Sequence, residues 1–212
     1  MPTIDPVKGS RDVPARDPAG PDPEELSPLV HSDLHVPHRR LRVTALHQLP
    51  TSDGVAFTAE LHLDATPVGT IENDGHGGAT MFRSRRPDLF GWRHMEQFVA
   101  QCRHNGEPAD EEAVLNGLVD EFDLTREIER VSKAGLTLIR LMSPQGWCLT
   151  IRTIAAANST QLTDLAVHLS NDPAAVPGGI WQIWTTGCWQ HVATLADPRA
   201  DQRSAHPGEP SA

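Results

Sequence analysis

Hydrophobic and polar side chains alternate along the first part of the chain, with the period of two that is typical of β-strands. In the segment 55–64 every second side chain is apolar, so the apolar side chains share one face. The segment 41–49 alternates in the same way, and 68–73 follows 55–64 after a short turn. Short connections of this kind favour antiparallel hairpins. The residues 79–82 predict one more strand.

Apolar side chains then recur at steps of three and four residues, which is helical spacing. This spacing covers 87–103, 108–135 and 158–170. The apolar stripe changes direction near 120–125, and we expect that the second segment is divided there into two helices.

The second half of the chain returns to strands. The segments 136–142 and 147–154 flank the turn sequence SPQG, and 178–194 has the pattern of a closing hairpin. Groups of strands therefore alternate with groups of helices, without a repeating βα unit. The sequence predicts a single α+β domain in which antiparallel β-hairpins pack with three or four helices.

The 212 residues suffice for one domain with terminal tails. Residues 1–40 are rich in proline and charge and poor in apolar side chains, and 197–212 are similar. Such segments bury too little surface to offset the entropy of ordering. We expect disordered tails at 1–40 and 197–212 and a folded domain at 41–196.

The formal net charge of −10 argues against a nucleic-acid-binding protein, because phosphate contact requires a basic face. No apolar run approaches the roughly 18 residues of a membrane helix, and the first residues do not form a secretory signal. Three scattered cysteines suit a reducing compartment. We expect a cytoplasmic protein that does not bind membranes.

The sequence ENDGHGG at 72–78 is the first candidate site. Asn and Asp favour tight turns, and glycines can expose several N–H groups to an anion. Asp and His side chains could also hold a metal or transfer a proton. Alternatively, the glycines only let the strand bend while the polar side chains cap the loop. The candidate residues are Asn73, Asp74, Gly75, His76, Gly77 and Gly78.

A basic patch follows this loop closely. Arg83, Arg85 and Arg86 stand near Arg93 in an otherwise acidic chain. Arginine side chains suit phosphate or carboxylate groups, so loop and arginines together could bind an anionic ligand. The alternative is ordinary ion pairing with the acidic helices.

Eight carboxylates and one arginine lie between Asp110 and Glu129. A solvated helix face explains this pattern, although an acidic surface could also occupy the basic groove of a partner. A hydrolase with paired carboxylates would need a cleft and one raised pKa.

Two further clusters lie near the chain ends. His31, Asp33 and His38 could hold a metal ion together with His35, but Pro37 interrupts the helical spacing that would align them. We expect a flexible arm there, suited to gripping a partner. In the C-terminal hairpin, strand alternation predicts that Trp181 and Trp184 face opposite ways, one in the core and one at an interface.

The segment 55–141 resembles small uncharacterised proteins of bacteria, phages and mobile elements. Their pattern is F-x-A-x-L-x-(I/L)-(D/N)-G, followed by V-G-x-(V/I)-x-N-x-G-x-G-G and by an acidic helix, a charged helix and a strand. The matching residues are Phe57, Ala59, Leu61, Leu63, Asp64, Val68, Gly69, Ile71, Asn73, Gly75, Gly77 and Gly78. Ala65 stands where the pattern has a turn glycine. The resemblance implies a shared fold and a phage or mobile-element origin, but no reaction.

Together these features predict a small acidic interaction or regulatory protein with a protein partner. No catalytic residue, metal site or cofactor is predicted. The expected contact surfaces are the glycine-rich loop and the acidic helices. The alternative is an anion- or nucleotide-binding domain, or an enzyme, built on the loop 73–78 and the adjacent arginines.

Overall fold

A computed structural model of the chain describes residues 26–156, 159–174 and 176–195, with the side chains of 159 and 160 left out. The predictions for 1–25 and 197–212 lie outside these residues. The elements in chain order are β1 (Ser27–Pro28), β2 (Leu34–Val36), β3 (Leu41–Pro50), β4 (Val55–Leu63), β5 (Thr66–Asn73), β6 (Met81–Ser84), α1 (Pro87–Phe90), α2 (Trp92–Gln101), β7 (Arg103–His104), β8 (Glu107–Pro108), α3 (Glu111–Ser132), β9 (Leu136–Met142), β10 (Cys148–Ala155), α4 (Ser159–Ser170), β11 (Ile180–Thr185) and β12 (Cys188–Thr194).

The first large sheet is an antiparallel meander in the order β3-β4-β5-β6. Its alternation buries one face, on which Ala59, Leu61 and Ile71 are wholly inaccessible to solvent. That face packs in one core with Met95 of α2 and Leu115 of α3. The predicted hairpins are confirmed, and so is the α+β class.

A second antiparallel sheet has the order β10-β9-β11-β12. On one face, Leu141 and Trp181 pack with Leu169 of α4. On the other face, Leu138 packs with the C-terminal half of α3, and Trp184 packs against this cluster. Trp181 and Trp184 therefore lie on opposite faces, as the alternation predicts.

Helix α3 is continuous over Glu111–Ser132, so the predicted division near 120–125 is wrong. Its N-terminal half packs in the core of the first sheet, and its C-terminal half packs on the second sheet. The apolar stripe changes direction because the helix changes partner. The helix begins after Asp110, whose Oδ1 accepts a hydrogen bond from the N–H of Ala113 at 2.7 Å.

The segment 87–103 forms two helices instead of one. α1 and α2 are separated by Gly91, which has an extended backbone (φ −97°, ψ −172°). The residues that follow pair as the short hairpin β7–β8, so Arg103 and Pro108, the ends of two predicted helical segments, lie in strands.

Residues 26–40 belong to the folded unit, and the prediction that the chain is disordered up to residue 40 is wrong for this part. We call them the N-terminal strap. Strands β1 and β2 join β7 and β8 in a third, small sheet, and Leu34 and Val36 enter the core. The carboxylate of Glu121 accepts hydrogen bonds from the N–H groups of Val30 and His31, at 3.1 and 2.8 Å. These long-range contacts offset the cost of ordering a segment that has few apolar residues.

Among the described residues, no helix combines the length and the apolar character that crossing a membrane requires.

Candidate functional site

The side chains of the glycine-rich loop bind the loop's own backbone. Oδ1 of Asn73 accepts a hydrogen bond from the N–H of Gly75 at 2.8 Å, and its Nδ2 donates to the carbonyl of Gly78 at 3.1 Å. Oδ1 of Asp74 accepts from the N–H of His76 at 3.0 Å. These bonds are the turn and capping bonds that Asn and Asp form in tight loops. At least two of the amides that could have faced an anion are therefore used inside the loop.

Gly75 fixes the position of the loop against the turn between β3 and β4. Its φ is +72°, and a Cβ atom there would lie 2.4 Å from the backbone nitrogen of Ala56. The hydroxyl of Thr51 donates to the carbonyl of Gly75 at 2.7 Å. Gly77 also has a positive φ, of +77°, but a Cβ there would have open space around it. Only glycine fits at position 75, which agrees with the interpretation of the loop as a bend.

His76 lies on the surface, with 62% of its side chain exposed. Its Nδ1 is 3.5 Å from Oδ2 of Asp53, which is equally exposed. An exposed pair of this kind contributes little and gives no confined space for proton transfer.

The three candidate arginines each pair with a carboxylate near them. Nε of Arg83 donates to Glu72 at 2.8 Å, and Arg86 pairs with Asp88 at 2.9 Å. Arg85 lies 3.7 Å from Glu60. The hydrogen bond from Thr70, reinforced by Arg83, lowers the pKa of Glu72. Glu72 and Glu60 come from the first sheet and Asp88 from the first turn of α1, so none of them is a carboxylate of α3, which the ion-pairing alternative named.

A cleft of about 660 Å³ lies elsewhere, between α3 and the start of β10. The carboxylates on its α3 side form what we call the acidic wall: Asp110, Glu112, Asp120 and Asp123. The opposite side forms the apolar wall: Trp147, Leu149 and Ile151, whose exposed fractions are 53, 48 and 39%. None of the residues 73–78, Arg83, Arg85 or Arg86 lines this cleft.

The acidic wall carries an unusual carboxylate. Asp120 is exposed to solvent, although other residues of the cleft lie around it. The loss of surrounding water, with a smaller contribution from the charge of Asp123, raises the pKa of Asp120 to about 6. A cation entering the cleft would reverse this effect, because it would stabilise the carboxylate.

Cys148 also lines the cleft and is exposed, but the partial loss of surrounding water raises the pKa of its thiol, while Arg140 opposes this. A raised pKa keeps the sulfur as a thiol at neutral pH, which is the form with the lower nucleophilicity.

Buried polar contacts hold the strap at one end of the cleft. The guanidinium of Arg140 is almost fully buried and lies 4.4 Å from the ring centre of Trp189. It donates hydrogen bonds to the carbonyl of His31 and, at 3.2 Å, to Oδ2 of Asp33. Nδ1 of His31 accepts a hydrogen bond from Nε1 of Trp189 at 3.2 Å, and burial lowers the pKa of His31. His31 is thus held neutral.

The expectation of a flexible arm at 31–38 is therefore wrong, because the buried contacts of His31 and Asp33 fix it. No group of three or more His, Cys, Asp or Glu side chains within the described ranges could hold a metal ion. Trp184 is half-buried against His31, with ring centres 4.8 Å apart. The widely exposed tryptophans are Trp147, which the sequence patterns did not single out, and Trp92, which the helical spacing of 87–103 counts among the apolar positions.

The glycine-rich loop still influences the cleft, through a chain of hydrogen bonds. Nδ2 of Asn73 donates to Oγ1 of Thr80 at 3.0 Å, and that hydroxyl donates to Oδ1 of Asn116 at 2.8 Å. Asn116 lies on α3 and lines the cleft. The loop thereby helps to position the helix that carries the acidic wall.

The far end of the cleft is closed by two turns. Nδ2 of Asn105 donates to the carbonyl of Gln145 at 3.0 Å, and the ring of His104 packs at a tilt of 30° against Trp147 with ring centres 4.7 Å apart. The acidic run on α3 was visible in the sequence, but the apolar wall that faces it was not, because the two are distant along the chain.

No protein-family model, curated protein or solved structure matches this chain. The resemblance of the segment 55–141 to small bacterial and phage proteins therefore stays a prediction.

Proposed function

We propose that this chain is a non-enzymatic interaction protein that holds a basic segment of a partner protein in the cleft between α3 and β10. The observation that carries the proposal is the pairing of an acidic wall with an exposed apolar wall across one cleft. Exposed apolar patches that are rimmed by polar residues mark protein interaction sites.

The electrostatics of the cleft favour a cationic partner. Four carboxylates line it, and among the described residues no lysine or arginine does. The raised pKa of Asp120 reflects desolvation and the charge of Asp123, and a guanidinium or ammonium group from a partner would relieve both. Trp147 offers an exposed aromatic face, on which an arginine side chain packs well.

Three features support binding over catalysis. The Cys148 thiol has a raised pKa. The ring of His31 is engaged by Trp189, and His76 lies in the open. Within the described lining of the cleft, the Cys148 thiol donates to the backbone carbonyl of Thr150 at 3.8 Å and not to a histidine or a carboxylate. The free cysteines at 102, 148 and 188 agree with an intracellular, reducing environment for such a partner.

A peptide titration tests the proposal. The probe is a fluorescently labelled octapeptide of alternating arginine and valine, measured by anisotropy at 50 and 300 mM salt, with a glutamate–valine octapeptide as the negative probe. We expect that the basic peptide binds and that its affinity falls as the salt concentration rises. We also expect that the variant Asp120→Asn binds the peptide about threefold to tenfold more weakly than the wild type. Glu129→Gln removes one charge from the same helix outside the cleft and serves as the control.

Equal effects of Asp120→Asn and Glu129→Gln would contradict the proposal, because the overall negative charge of the surface would then explain the binding without a specific cleft. Failure of the basic peptide to bind at low salt would contradict it as well.

A further inference from the structure

Strand β10 forms one edge of the second sheet. The order is β10-β9-β11-β12, and within the described residues β10 pairs only with β9. From Thr150 to Ala155 the two strands run in unbroken antiparallel register. The outer side of β10 therefore presents a row of backbone N–H and C=O groups over six residues.

This edge lacks most of the features that protect sheet edges. Natural edges are blunted by lysine, by proline, by bulges or by a covering element. Strand β10 contains no lysine or proline, and its bulge lies before Thr150, outside the regular part. Its one charged side chain, Arg152, is held by Asp172. An edge left open in this way is suited to accept another strand.

The edge and the cleft are continuous. Ile151 is the cross-strand partner of Arg140, and the side chains of cross-strand partners lie on the same face of a sheet. The side chain of Ile151 therefore lies on the α3 side of the sheet, where it forms part of the apolar wall. Side chains on the α3-facing side of an added strand would consequently point towards the space that the acidic wall borders. Every second residue of that strand would be in this position.

The charge of the surroundings selects the occupant. Residues 1–25 contain six carboxylates against three basic side chains, and residues 196–212 contain three against two, so neither tail of this chain complements the acidic wall. A second copy of the chain would bring a second acidic wall to the same place. A basic segment of another protein satisfies both the open edge and the charge.

We propose that β10 accepts an extended segment of the partner protein as an additional strand, with basic side chains at alternate positions facing the acidic wall. This inference rests on the proposed function and adds the mode of binding. Backbone hydrogen bonds to β10 would supply part of the affinity, and the alternate basic side chains would supply the specificity.

N-methylated peptides test the mode of binding separately from the site. Two versions of the arginine–valine octapeptide carry N-methyl groups, one on every arginine and the other on every valine, so that each blocks one edge of the peptide strand and leaves the side chains intact. We expect that at least one of them binds more than tenfold more weakly than the parent peptide. We also expect the parent peptide to slow hydrogen–deuterium exchange of amides within 150–155.

The variant Ile151→Lys tests the edge from the side of the protein, because lysine both blunts an edge strand and repels the peptide. We expect a loss of affinity of more than tenfold. The control Val167→Lys places the same charge on α4, at an exposed residue that does not line the cleft, and we expect a change below twofold.

The outcomes separate the two proposals. If Asp120→Asn weakens binding but both methylated peptides bind like the parent, the added strand is refuted and the cationic cleft stands. If the basic peptide does not bind, or if Asp120→Asn acts no differently from Glu129→Gln, both are refuted. A concentration-dependent dimer of the wild-type chain that Ile151→Lys abolishes would assign the edge to a second copy and would overturn the inference.

Discussion

Replacement of Gly75 by alanine is expected to destabilise the fold far more than the same replacement of Gly77. Both glycines have a positive φ, of +72° and +77°, and this conformation costs an alanine about 1–2 kcal/mol. Both substitutions also restrict the unfolded chain by about the same amount, so that effect cancels in the comparison.

The two positions differ in the space around the new methyl group. At Gly75 it would lie 2.4 Å from the nitrogen of Ala56 and 2.8 Å from the carbonyl carbon of Val55, whereas at Gly77 nothing lies within 4 Å. The atoms at Ala56 and Val55 are backbone atoms of the sheet, so they cannot turn away as a side chain can. Overpacking of this kind costs about 1–3 kcal/mol. We expect a total loss of about 2–4 kcal/mol for Gly75→Ala and about 1 kcal/mol for Gly77→Ala.

Thermal unfolding followed by circular dichroism measures the difference. For a domain of this size 1 kcal/mol shifts the Tm by about 2–4 °C, so a difference of about 1–3 kcal/mol places the Tm of Gly75→Ala about 2–12 °C below that of Gly77→Ala. Urea titrations of the two variants give the free energies of unfolding directly. Two variants that unfold within about 1 °C of each other would refute the reasoning, since the contact with the β3–β4 turn would then not fix the loop.

Four further predictions concern the cleft and the strap. Peptide affinity should fall as the pH drops from 7.5 to 5.5, because Asp120 with its pKa of about 6 loses its charge in this range, and Asp120→Asn should flatten that profile. Because the pKa of Asp120 is raised in the folded state, its charged carboxylate destabilises the fold above pH 6, by no more than about 1 kcal/mol since the side chain is exposed. Chemical denaturation at pH 7.5 should therefore find Asp120→Asn slightly more stable than the wild type, and this difference in stability should vanish near pH 4. Trp147→Ala should weaken peptide binding about threefold or more with a Tm change below about 2 °C, whereas Trp92→Ala, an equally exposed change outside the cleft, should leave affinity intact. Arg140→Met should cost about 1–3 kcal/mol of unfolding free energy by leaving the buried His31 carbonyl and the partly exposed Asp33 carboxylate without their donor, against less than about 1 kcal/mol for the exposed Arg85→Met; equal losses in urea titrations would contradict the role assigned to the strap.

The sequence predicted what depends on neighbouring residues. The alternation of 55–64 and the helical spacing of 158–170 produced the observed strand and helix, because one face of each packs on a core. Tight-turn chemistry at Asn73 and Asp74 likewise predicted a closed loop, and the structure shows the bonds that close it.

What could not be predicted depends on distant residues. The strap is ordered by Glu121 and Arg140, which lie about 90 and 109 positions away from the residues that they bind. The cleft combines carboxylates of α3 with Trp147 and Ile151, and no local pattern relates these segments. The loop and the arginine patch were chosen as candidates because glycines and arginines cluster there over a few neighbouring positions of the sequence. In the structure these residues bind one another and their neighbours.

Chemical-shift mapping by ¹H–¹⁵N NMR tests most directly which surface binds a cationic segment. On addition of the arginine–valine octapeptide, we expect the largest shifts at Asp120 and Asp123 and across 147–151. Shifts confined to the glycine-rich loop 73–78, or spread evenly over all exposed carboxylates, would contradict a binding site between α3 and β10.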